Sequence, residues 1–220
     1  ARLIRNDEAD MALCGGSEAT IDRVAIGSFG AAKAMTTHFN DTPTKASRPF
    51  DSARDGFVMA EGAGLLVLES LEHALARGAT PLAEIVGYGT SADAYHVTSG
   101  PEEGSGAARS MRMALRHAGL QASDIQHLNA HATSTPVGDR GELAAINQVF
   151  GKGKDQQGPS ITATKSAMGH MLGAAGGAAA IFTVMALRDQ IAPPVLNLEN
   201  PDPLAEGLDM ITGEARPHAI

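Results

Sequence analysis

Two short segments of the sequence place a histidine among hydroxyl-bearing or basic side chains. The first, residues 129–135, carries His131 followed by Ala-Thr-Ser-Thr, and the second, residues 164–170, runs from Thr-Lys-Ser to His170. A neutral imidazole at such a position can donate a hydrogen bond to a bound group. Two such segments in one chain strengthen the case for chemistry. The residues alone still leave open that each histidine is an ordinary polar loop residue.

Both segments follow a stretch that is predicted to be a β-strand, residues 125–129 and 160–163. In open α/β sheets, binding sites gather where strands end, so both segments are plausible places for chemistry. His170 also lies just before a predicted helix, Gly173–Arg188. The positive end of that helix favours a neutral imidazole over a charged one.

The elements that must position these residues indicate an α/β fold, because short apolar runs alternate with helical patterns. The chain from Thr42 to Gly56 is predicted to be an irregular loop. Residues 64–69 are continuously apolar, which predicts a strand covered on both faces. The other predicted elements are strands over 11–13 (closed by Gly15-Gly16) and 83–88, and helices over 21–34, 71–77, 106–118 and 142–150.

Composition excludes several classes of function. The formal net charge of −8 argues against a nucleic-acid partner, since phosphate binding needs a basic face. The single cysteine, Cys14, excludes an intramolecular disulfide and a multi-cysteine metal site, and makes a reducing compartment the default. No phosphate-binding loop, dinucleotide fingerprint or His-Glu-x-x-His motif is present. The uncharged run 171–187 predicts a buried helix rather than a membrane span.

At this point the sequence resembles a known family, the β-ketoacyl-acyl carrier protein synthases. The resemblance lies in Asn-Ala-His-Ala-Thr-Ser-Thr-Pro-Val-Gly-Asp (129–139) and Thr-Lys-Ser-Ala-Met-Gly-His-Met-Leu-Gly-Ala-Ala-Gly (164–176). Residues 47–51, 54–57, 61–64, 93–99 and 186–190 are similar to the family as well. The likeness covers nearly the whole chain in the expected order and is closest to the type II elongating synthases.

The resemblance implies the thiolase-like fold, in which two similar halves stack into layers α-β-α-β-α. This chain is expected to hold an incomplete version of it. Residues 1–80 would be the end of the N-terminal half, and residues 81–220 most of the C-terminal half without its final strands. A boundary near 78–82 is suggested by Gly-Ala-Thr-Pro at 78–81.

The resemblance also implies a catalytic set of His131, His170, Lys165 and Glu142. The two histidines match the family's pair of hydrogen-bond donors to the thioester carbonyl of malonyl-acyl carrier protein, where they stabilise the enolate left by decarboxylation. Lys165 matches a lysine of the active site, and Glu142 the acidic residue expected to pair with it. His170 favours the elongating class, since chain-initiating synthases carry Asn there.

Four hydroxyl residues match positions that line the phosphopantetheine tunnel of the family: Thr133, Thr135, Thr98 and Ser99. Two departures are small, Ala132 where many members have Gly and Met168 where Thr is common. We expect these to tune the chemistry rather than abolish it. The family uses no cofactor and no metal, so none is expected.

The family's nucleophilic cysteine begins the helix whose tail resembles residues 1–4, so we expect it just upstream of Ala1. Cys14 lies where relatives have a buried strand and is not expected to replace it. A glycine-rich loop of the family is expected beyond Ile220. The chain is therefore expected to be a fragment, inactive and poorly stable alone.

The function expected is decarboxylative condensation of an acyl thioester with malonyl-acyl carrier protein in fatty-acid elongation. Acyl carrier protein is the expected partner, the full-length protein a homodimer, and the location the cytoplasm or an organellar matrix. No nucleic acid or membrane is expected to bind. Two alternatives stay open, a polyketide-type condensing domain and a non-catalytic subunit of the chain-length-factor kind.

Overall fold

The computed structural model describes residues 1–96, 99–151 and 158–217. Its strands, in chain order, are β1 (Met11–Glu18), β2 (Gly62–Glu69), β3 (His127–Asn129), β4 (Ser160–Thr162), β5 (Ile191–Ala192), β6 (Asp209–Met210) and β7 (Arg216–Pro217). Its α-helices are α1 (Arg2–Arg5), α2 (Arg23–Ala31), α3 (Leu71–Ala76), α4 (Ser105–Ala118), α5 (Pro136–Phe150), α6 (Lys165–Met168) and α7 (Ala175–Asp189).

The described strands form three sheets. β1 and β2 pair antiparallel from Met11 opposite Glu69 to Glu18 opposite Gly62. The second sheet is parallel, with the order β3-β4-β6, and a short antiparallel pair joins β5 to β7. Because β3 and β4 are parallel neighbours, the segments that leave their carboxyl ends start at the same edge of the sheet.

Helix α7 lies against the first sheet at a contact made by glycines. A Cβ atom added to Gly64 would lie 2.4 Å from the backbone nitrogen of Ala178, and one added to Gly177 would lie 2.3 Å from the carbonyl oxygen of Gly64. Both distances are far below van der Waals contact, so only glycine allows this approach. The helix backbone therefore rests directly on β2.

The other side of α7 meets the second sheet. The side-chain amide of Asn129 in β3 donates to the carbonyl oxygen of Ala179 at 3.1 Å and to the hydroxyl of Thr183 at 3.0 Å. Beyond this sheet, Leu143 of α5 packs in one buried cluster with Ile161 of β4. The layers thus run sheet, helix, sheet, helix, in agreement with the expected α/β layering.

By length and composition, Leu172–Asp189 is the one helix in the described part of the chain that could cross a membrane, and 28% of it is buried. Its contacts with both sheets are those of an internal helix. The prediction of a buried helix is met only in part, because Ala175, Ala178 and Ala186 are the buried residues of α7.

The prediction that the first strand closes at Gly15-Gly16 is wrong. β1 continues to Glu18, and both glycines lie within it. A Cβ atom on Gly15 would lie 1.9 Å from the carbonyl oxygen of Gly64, and one on Gly16 would lie 2.3 Å from that of Gly173. These glycines therefore mark close approach of neighbouring backbones rather than a turn.

The predicted cover on both faces of the 64–69 strand is also wrong for the described chain. Leu65 and Val67 of β2 are 56% and 57% exposed, and Leu13 of β1, the partner of Val67, is 71% exposed. Only the face toward α7 is covered. A continuous apolar run cannot tell one-sided from two-sided cover.

Residues 83–88, predicted to be a strand, pair with no strand among the described residues. The chain there lies against α4, where the hydroxyl of Ser110 donates to the carbonyl oxygen of Gly89 at 2.9 Å. Ile85 and Val86 are exposed. A strand needs a neighbour for its backbone groups, and composition does not supply one.

Most helix predictions are confirmed, with shifted ends. The predicted helix over 21–34 is shorter, Arg23–Ala31, and starts at Asp22, whose carboxylate accepts from Val24 and Ala25. The predicted helix over 142–150 begins six residues earlier, at Pro136, where proline suits the first helical position. α4 ends at Ala118, as predicted, and Gly119 follows it in the left-handed conformation.

The predicted loop over 42–56 contains a single 3-10 turn, Pro43–Lys45, and is otherwise irregular, yet residues 46–51 are buried. Asp51 holds it against a distant segment, since one carboxylate oxygen accepts from the backbone of Glu199 at 2.9 Å and of Asn200 at 2.7 Å. The other oxygen accepts from Arg48 at 2.9 Å. A buried loop is possible because side chains satisfy its polar groups.

Candidate active site

The segment that carries His131 leaves the end of β3 and is held by its backbone. The Ala130 amide continues the sheet by donating to the carbonyl oxygen of Thr162 at 2.8 Å. Glu142, on α5, then accepts from the amide of His131 at 2.7 Å and from that of Ala132 at 2.6 Å. Ala132 has φ +34°, a left-handed value that favours glycine, so the carboxylate stabilises a strained turn.

Lys165 reaches the same peptide from the opposite side. Its ammonium group donates to the carbonyl oxygen of His131 at 2.6 Å, and the residue is only 4% exposed. The predicted pairing of Lys165 with Glu142 is thus indirect: both charged groups bind the His131 backbone. Among the described residues the two form no direct ion pair.

His170 is fixed by its backbone and by its ring. Its amide donates to the carbonyl oxygen of Val58 at 2.7 Å, and its carbonyl oxygen accepts from Ala60 at 3.1 Å. Its Nδ1 accepts from the amide of Leu172 at 3.3 Å, a residue with φ +42°. A nitrogen that accepts carries no proton, so the neutral ring has its proton on Nε2.

The two histidine rings meet edge to face. Their centroids lie 5.5 Å apart with an interplanar angle of 89°. Phe57 packs against His170 at 5.4 Å, and Phe29 against Phe57 at 5.3 Å, both in the same edge-on manner. The structure thus brings together the two segments that the sequence singled out, with an aromatic wall behind His170.

The surroundings of both rings favour the neutral form. Burial, with the nearby charge of Lys165, lowers the pKa of His170 to about 4. Desolvation also lowers the pKa of His131, and Lys165 and His170 add to the effect. His131 is the more exposed of the two. Near neutral pH both rings are therefore uncharged hydrogen-bond donors.

Burial acts on the two charged groups beside His131 as well. It lowers the pKa of Lys165, an effect that the charges of Glu142 and Asp139 oppose. It raises the pKa of Glu142, opposed by the two backbone donors and by Lys165. Each group is thus stabilised in its charged form by the other and by the His131 peptide.

Two residues that the sequence interpretation did not single out, Asp139 and Arg54, hold the hydroxyl-rich turn after His131. Asp139 is fully buried and accepts from the amides of Ser134 at 3.1 Å and Phe50 at 2.9 Å. Both of those residues have positive φ, +69° and +64°. Arg54 lies 3.6 Å from Asp139 and donates to the carbonyl oxygen of Thr135 at 3.1 Å.

Burial raises the pKa of Asp139 to about 7, although its backbone donors and Arg54 oppose this. A sequence signal for its role exists in hindsight. Asp139 and Glu142 lie three residues apart, which places them on one face of a helix. That face is the one turned toward the His131 turn, where both carboxylates bind backbone amides.

Two of the hydroxyl residues predicted to line a phosphopantetheine tunnel lie together. The hydroxyls of Thr133 and Thr135 are hydrogen-bonded at 3.0 Å. Ser99 is half-buried, while Thr98 lies outside the described residues. No bound ligand tests the tunnel assignment, which stays a prediction.

Cys14 lies within β1, opposite Leu66 of β2, and its thiol is 3.8 Å from the carbonyl oxygen of Ala12. It is half-buried, not fully buried as expected. Among the described residues, Cys14 forms no hydrogen bond with the residues that hold His131 or His170. Its described surroundings are therefore not those of an activated nucleophile.

Two family models match this chain. The description "Beta-ketoacyl synthase, N-terminal domain" matches residues 1–74, and "Beta-ketoacyl synthase, C-terminal domain" matches residues 82–199. Together they cover both histidine segments, Lys165 and Glu142.

Curated relatives give the same result. The "3-oxoacyl-[acyl-carrier-protein] synthase 2" of Rhizobium meliloti is 50% identical over 220 residues, which is 100% of this chain and 51% of the relative. The mitochondrial 3-oxoacyl-[acyl-carrier-protein] synthase of Arabidopsis thaliana is 48% identical over 203 residues, 92% of this chain and 44% of the relative. The chain thus spans about half the length of the curated relatives it matches.

A solved structure is similar over the whole chain. It is a type II polyketide synthase acyl-carrier protein in complex with its ketosynthase bound to the hexaketide, with a TM-score of 0.94 and 38% identity. The match covers 100% of this chain and 53% of that one. The thiolase-like fold expected from the sequence is that of such ketosynthases.

Proposed function

Because the chain belongs to the β-ketoacyl synthase family, we propose that the protein is a 3-oxoacyl-acyl carrier protein synthase. It condenses an acyl thioester with malonyl-acyl carrier protein during fatty-acid elongation. The observation that carries the proposal is the pair of uncharged histidines, His131 and His170, whose rings lie 5.5 Å apart.

The proposed step at this pair is decarboxylation of the malonyl thioester. The bond between the carboxylate carbon and C2 breaks, carbon dioxide leaves, and the electron pair forms an enolate on the thioester. The N–H groups of His131 and His170 donate to the enolate oxygen as its charge develops. C2 then attacks the acyl thioester carbonyl and displaces its thiolate.

A neutral donor suits this step, since no proton must be removed to form the carbanion. The Leu172 amide supports it by occupying Nδ1 of His170 and leaving Nε2–H for the substrate. Lys165 and Glu142 act as positioning residues, because both bind the His131 backbone rather than its ring. This refines the catalytic role that the family resemblance implies for them.

Condensation also needs a thiol that carries the acyl group. We assign this role to none of the described residues, because Cys14 lies in the β1 ladder away from the hydrogen-bond network of the two histidines. For the chain itself we therefore propose only the decarboxylation step, in which His131 and His170 donate hydrogen bonds to the enolate oxygen. The complete reaction is proposed for the natural protein.

Partners and location follow the same proposal. Acyl carrier protein presents the malonyl group, and its phosphopantetheine arm passes the hydroxyls of Thr133 and Thr135, with Thr98 and Ser99 as further candidates. A homodimer, a cytoplasmic or organellar location, and the lack of a cofactor, metal, membrane or nucleic-acid partner remain predictions. The Arabidopsis relative supports an organellar location in some members of the family.

A polyketide-type condensing domain is the second candidate, favoured by the similarity to a polyketide ketosynthase. The identity to that protein is 38%, against 50% to the Rhizobium fatty-acid relative, so fatty-acid elongation is the better supported. Turnover of fatty acyl-acyl carrier protein by the natural protein would decide between them. The retained histidine pair argues against a non-catalytic subunit.

Malonyl decarboxylation by the natural full-length protein tests the proposal. His131→Ala and His170→Ala should each lower the rate of carbon dioxide release by about 100-fold or more, as loss of one oxyanion donor does. His117→Ala, an exposed change on α4, is the control and should leave the rate unchanged. Unaltered carbon dioxide release from both histidine variants would contradict the assignment.

A further inference from the structure

Glu18, the last residue of β1, is an acidic residue on the covered side of the first sheet. Along β1 the residues alternate between exposed and half-buried, and Glu18 belongs to the half-buried set with Ala12, Cys14 and Gly16. Leu13 projects from the opposite, exposed side. A carboxylate that loses water on folding needs hydrogen-bond donors in its place, so the partners of Glu18 indicate its role.

The carboxylate of Glu18 binds the turn that follows His170. One of its oxygens accepts from the amide of Gly173 at 3.0 Å, and the other accepts from the amide of Ala19 at 3.2 Å. Gly173 lies in the 3-10 turn Leu172–Ala174, which leads directly into α7. The side chain therefore joins the end of β1 to the chain between His170 and α7.

The backbone of β1 approaches the same residue of the turn. A Cβ atom added to Gly16 would lie 2.3 Å from the carbonyl oxygen of Gly173, and one added to Gly173 would lie 3.1 Å from a carboxylate oxygen of Glu18. The end of β1 thus lies close to Gly173 at both its amide and its carbonyl group. Movement of this peptide away from β1 would break the Glu18 hydrogen bond.

Leu172 connects this contact to the ring of His170. Its backbone is left-handed, with φ +42°, a conformation that a residue with a Cβ atom adopts only when surrounding contacts hold it. Its own amide donates to Nδ1 of His170 at 3.3 Å. Because the peptide bond to Gly173 is planar, a fixed Gly173 N–H group also fixes the ψ angle of Leu172.

We propose that Glu18 is a positioning residue for His170, which acts by holding Gly173 and thereby keeping the Leu172 amide on Nδ1. Glu18 itself touches no substrate. The inference rests on the proposed function, in which Nε2–H of His170 donates to the enolate oxygen. Glu18 lies in the part of the chain that matches the N-terminal family model, and His170 in the part that matches the C-terminal one. The hydrogen bond therefore links the two parts at the active site.

The protonation of the His170 ring tests this role directly. In histidine-selective ¹⁵N NMR of the natural full-length protein, Nδ1 of His170 should have the shift of an unprotonated nitrogen, and His170→Asn identifies its signal. Glu18→Ala should move the Nδ1 and Nε2 shifts toward each other, because the released ring exchanges between its two tautomers. Glu18→Gln should keep the wild-type shifts, since its amide oxygen can still accept from Gly173.

Decarboxylation of malonyl-acyl carrier protein gives the second readout. Glu18→Ala should lower kcat for carbon dioxide release by about tenfold while KM changes by less than about twofold, because a misplaced donor affects the reacting group more than substrate binding. Glu18→Gln should retain most of the wild-type kcat. Asp124→Ala is the control, since it removes another carboxylate that accepts a backbone amide, that of Gln121 at 2.7 Å, and it should change neither readout.

Several results would overturn the proposal. Unchanged ¹⁵N shifts in Glu18→Ala would mean that the Leu172 amide stays in place without Glu18, whatever happens to kcat. Equal losses in Glu18→Ala and Glu18→Gln would indicate charge rather than the hydrogen bond, and equal effects of Asp124→Ala would indicate general destabilisation. A wild-type protein that releases no carbon dioxide, but whose ring shifts respond as expected, would contradict the proposed function and leave the role of Glu18 standing.

Discussion

At the scale of single residues, the site depends on backbone atoms as much as on side chains. His170 has its Nδ1 occupied by the amide of Leu172, which decides the tautomer of the ring. His131 presents its ring while Glu142 and Lys165 hold its amide and carbonyl groups. Preorganised donors of this kind need no rearrangement when charge develops on a substrate.

The lowered pKa of His170 predicts a pH dependence of stability. The ring binds a proton near pH 6.5 when unfolded but only near pH 4 when folded, so unfolding takes up a proton between these values. The neutral ring makes its full contribution to the free energy of unfolding above about pH 6.5. This contribution falls as the pH drops toward 4. His170→Asn should remove this dependence. As the pH falls from about 6.5 to 4, its free energy of unfolding should decrease by roughly 1–2 kcal/mol less than that of the wild type.

Urea denaturation of both proteins at several pH values between about 4.5 and 7 measures the difference. The comparison must be between variants, because the raised pKa of Asp139, about 7, acts with the opposite sign throughout the same window. His117→Asn, an exposed change, is the control. Parallel pH profiles for wild type and His170→Asn would refute the prediction.

Ala132 gives a second prediction at this scale. Ala132→Gly relieves a left-handed backbone, worth about 1–2 kcal/mol, while Ala145→Gly weakens the interior of α5 by about 1 kcal/mol. Both alanines are buried, so each change also removes one buried methyl group. Ala132→Gly should therefore cost at least about 1 kcal/mol less than Ala145→Gly. Equal losses of unfolding free energy would show that the turn is not strained.

At the scale of elements, the contact between β1, β2 and α7 depends on residues without side chains. Gly15, Gly16 and Gly64 let backbone approach backbone, and Gly177 does the same from the helix. The contact sets where α7 lies, and the turn before α7 carries His170. Packing of glycines thus contributes to the position of a donor in the site.

Two neighbouring glycines of α7 provide a matched test of this contact. Gly177→Ala should destabilise the fold by about 1–3 kcal/mol, because its Cβ would collide with the Gly64 carbonyl group. Gly176→Ala meets no atom within 4 Å and should stabilise the helix by up to about 1 kcal/mol. Thermal or urea unfolding of each variant measures both effects. A Gly177→Ala protein as stable as Gly176→Ala would mean that the two elements separate easily.

At the scale of the whole molecule, the described chain leaves an apolar sheet face in solvent. Leu13, Leu65 and Val67 project from the side of β1 and β2 that α7 does not cover. Contiguous exposed apolar surface of this kind usually belongs to an interface or leads to association. The chain spans about half the length of its curated relatives.

The 220-residue chain on its own should therefore self-associate and unfold without a sharp transition. Leu13→Thr with Val67→Thr, a cross-strand pair on this face, should reduce association while keeping β-strand propensity. Val24→Thr, an exposed change on α2, is the control and should not. Sedimentation velocity and thermal unfolding report the outcome. A soluble monomer with a cooperative transition would contradict the prediction.

Several features followed from the sequence because their causes are local. Ser70 before α3 and Gly119 after α4 act through hydrogen bonds and backbone angles within a few residues. The start of α3 at residue 71 and the end of α4 at residue 118 agree with the predicted helices. The two histidine segments were also evident, since a strand followed by His and hydroxyls is a contiguous pattern. The α/β class followed from the alternation of apolar runs and helical stretches.

Other features were decided only by contacts between distant parts of the chain. Residues 83–88 have strand composition, but pairing needs a neighbour that the sequence does not specify. Asp139 became important because folding places it beside Phe50, 89 positions away in the sequence. The sequence by itself determined which residues could do chemistry. Tertiary structure decided their protonation and orientation, because burial and backbone partners from other elements set both.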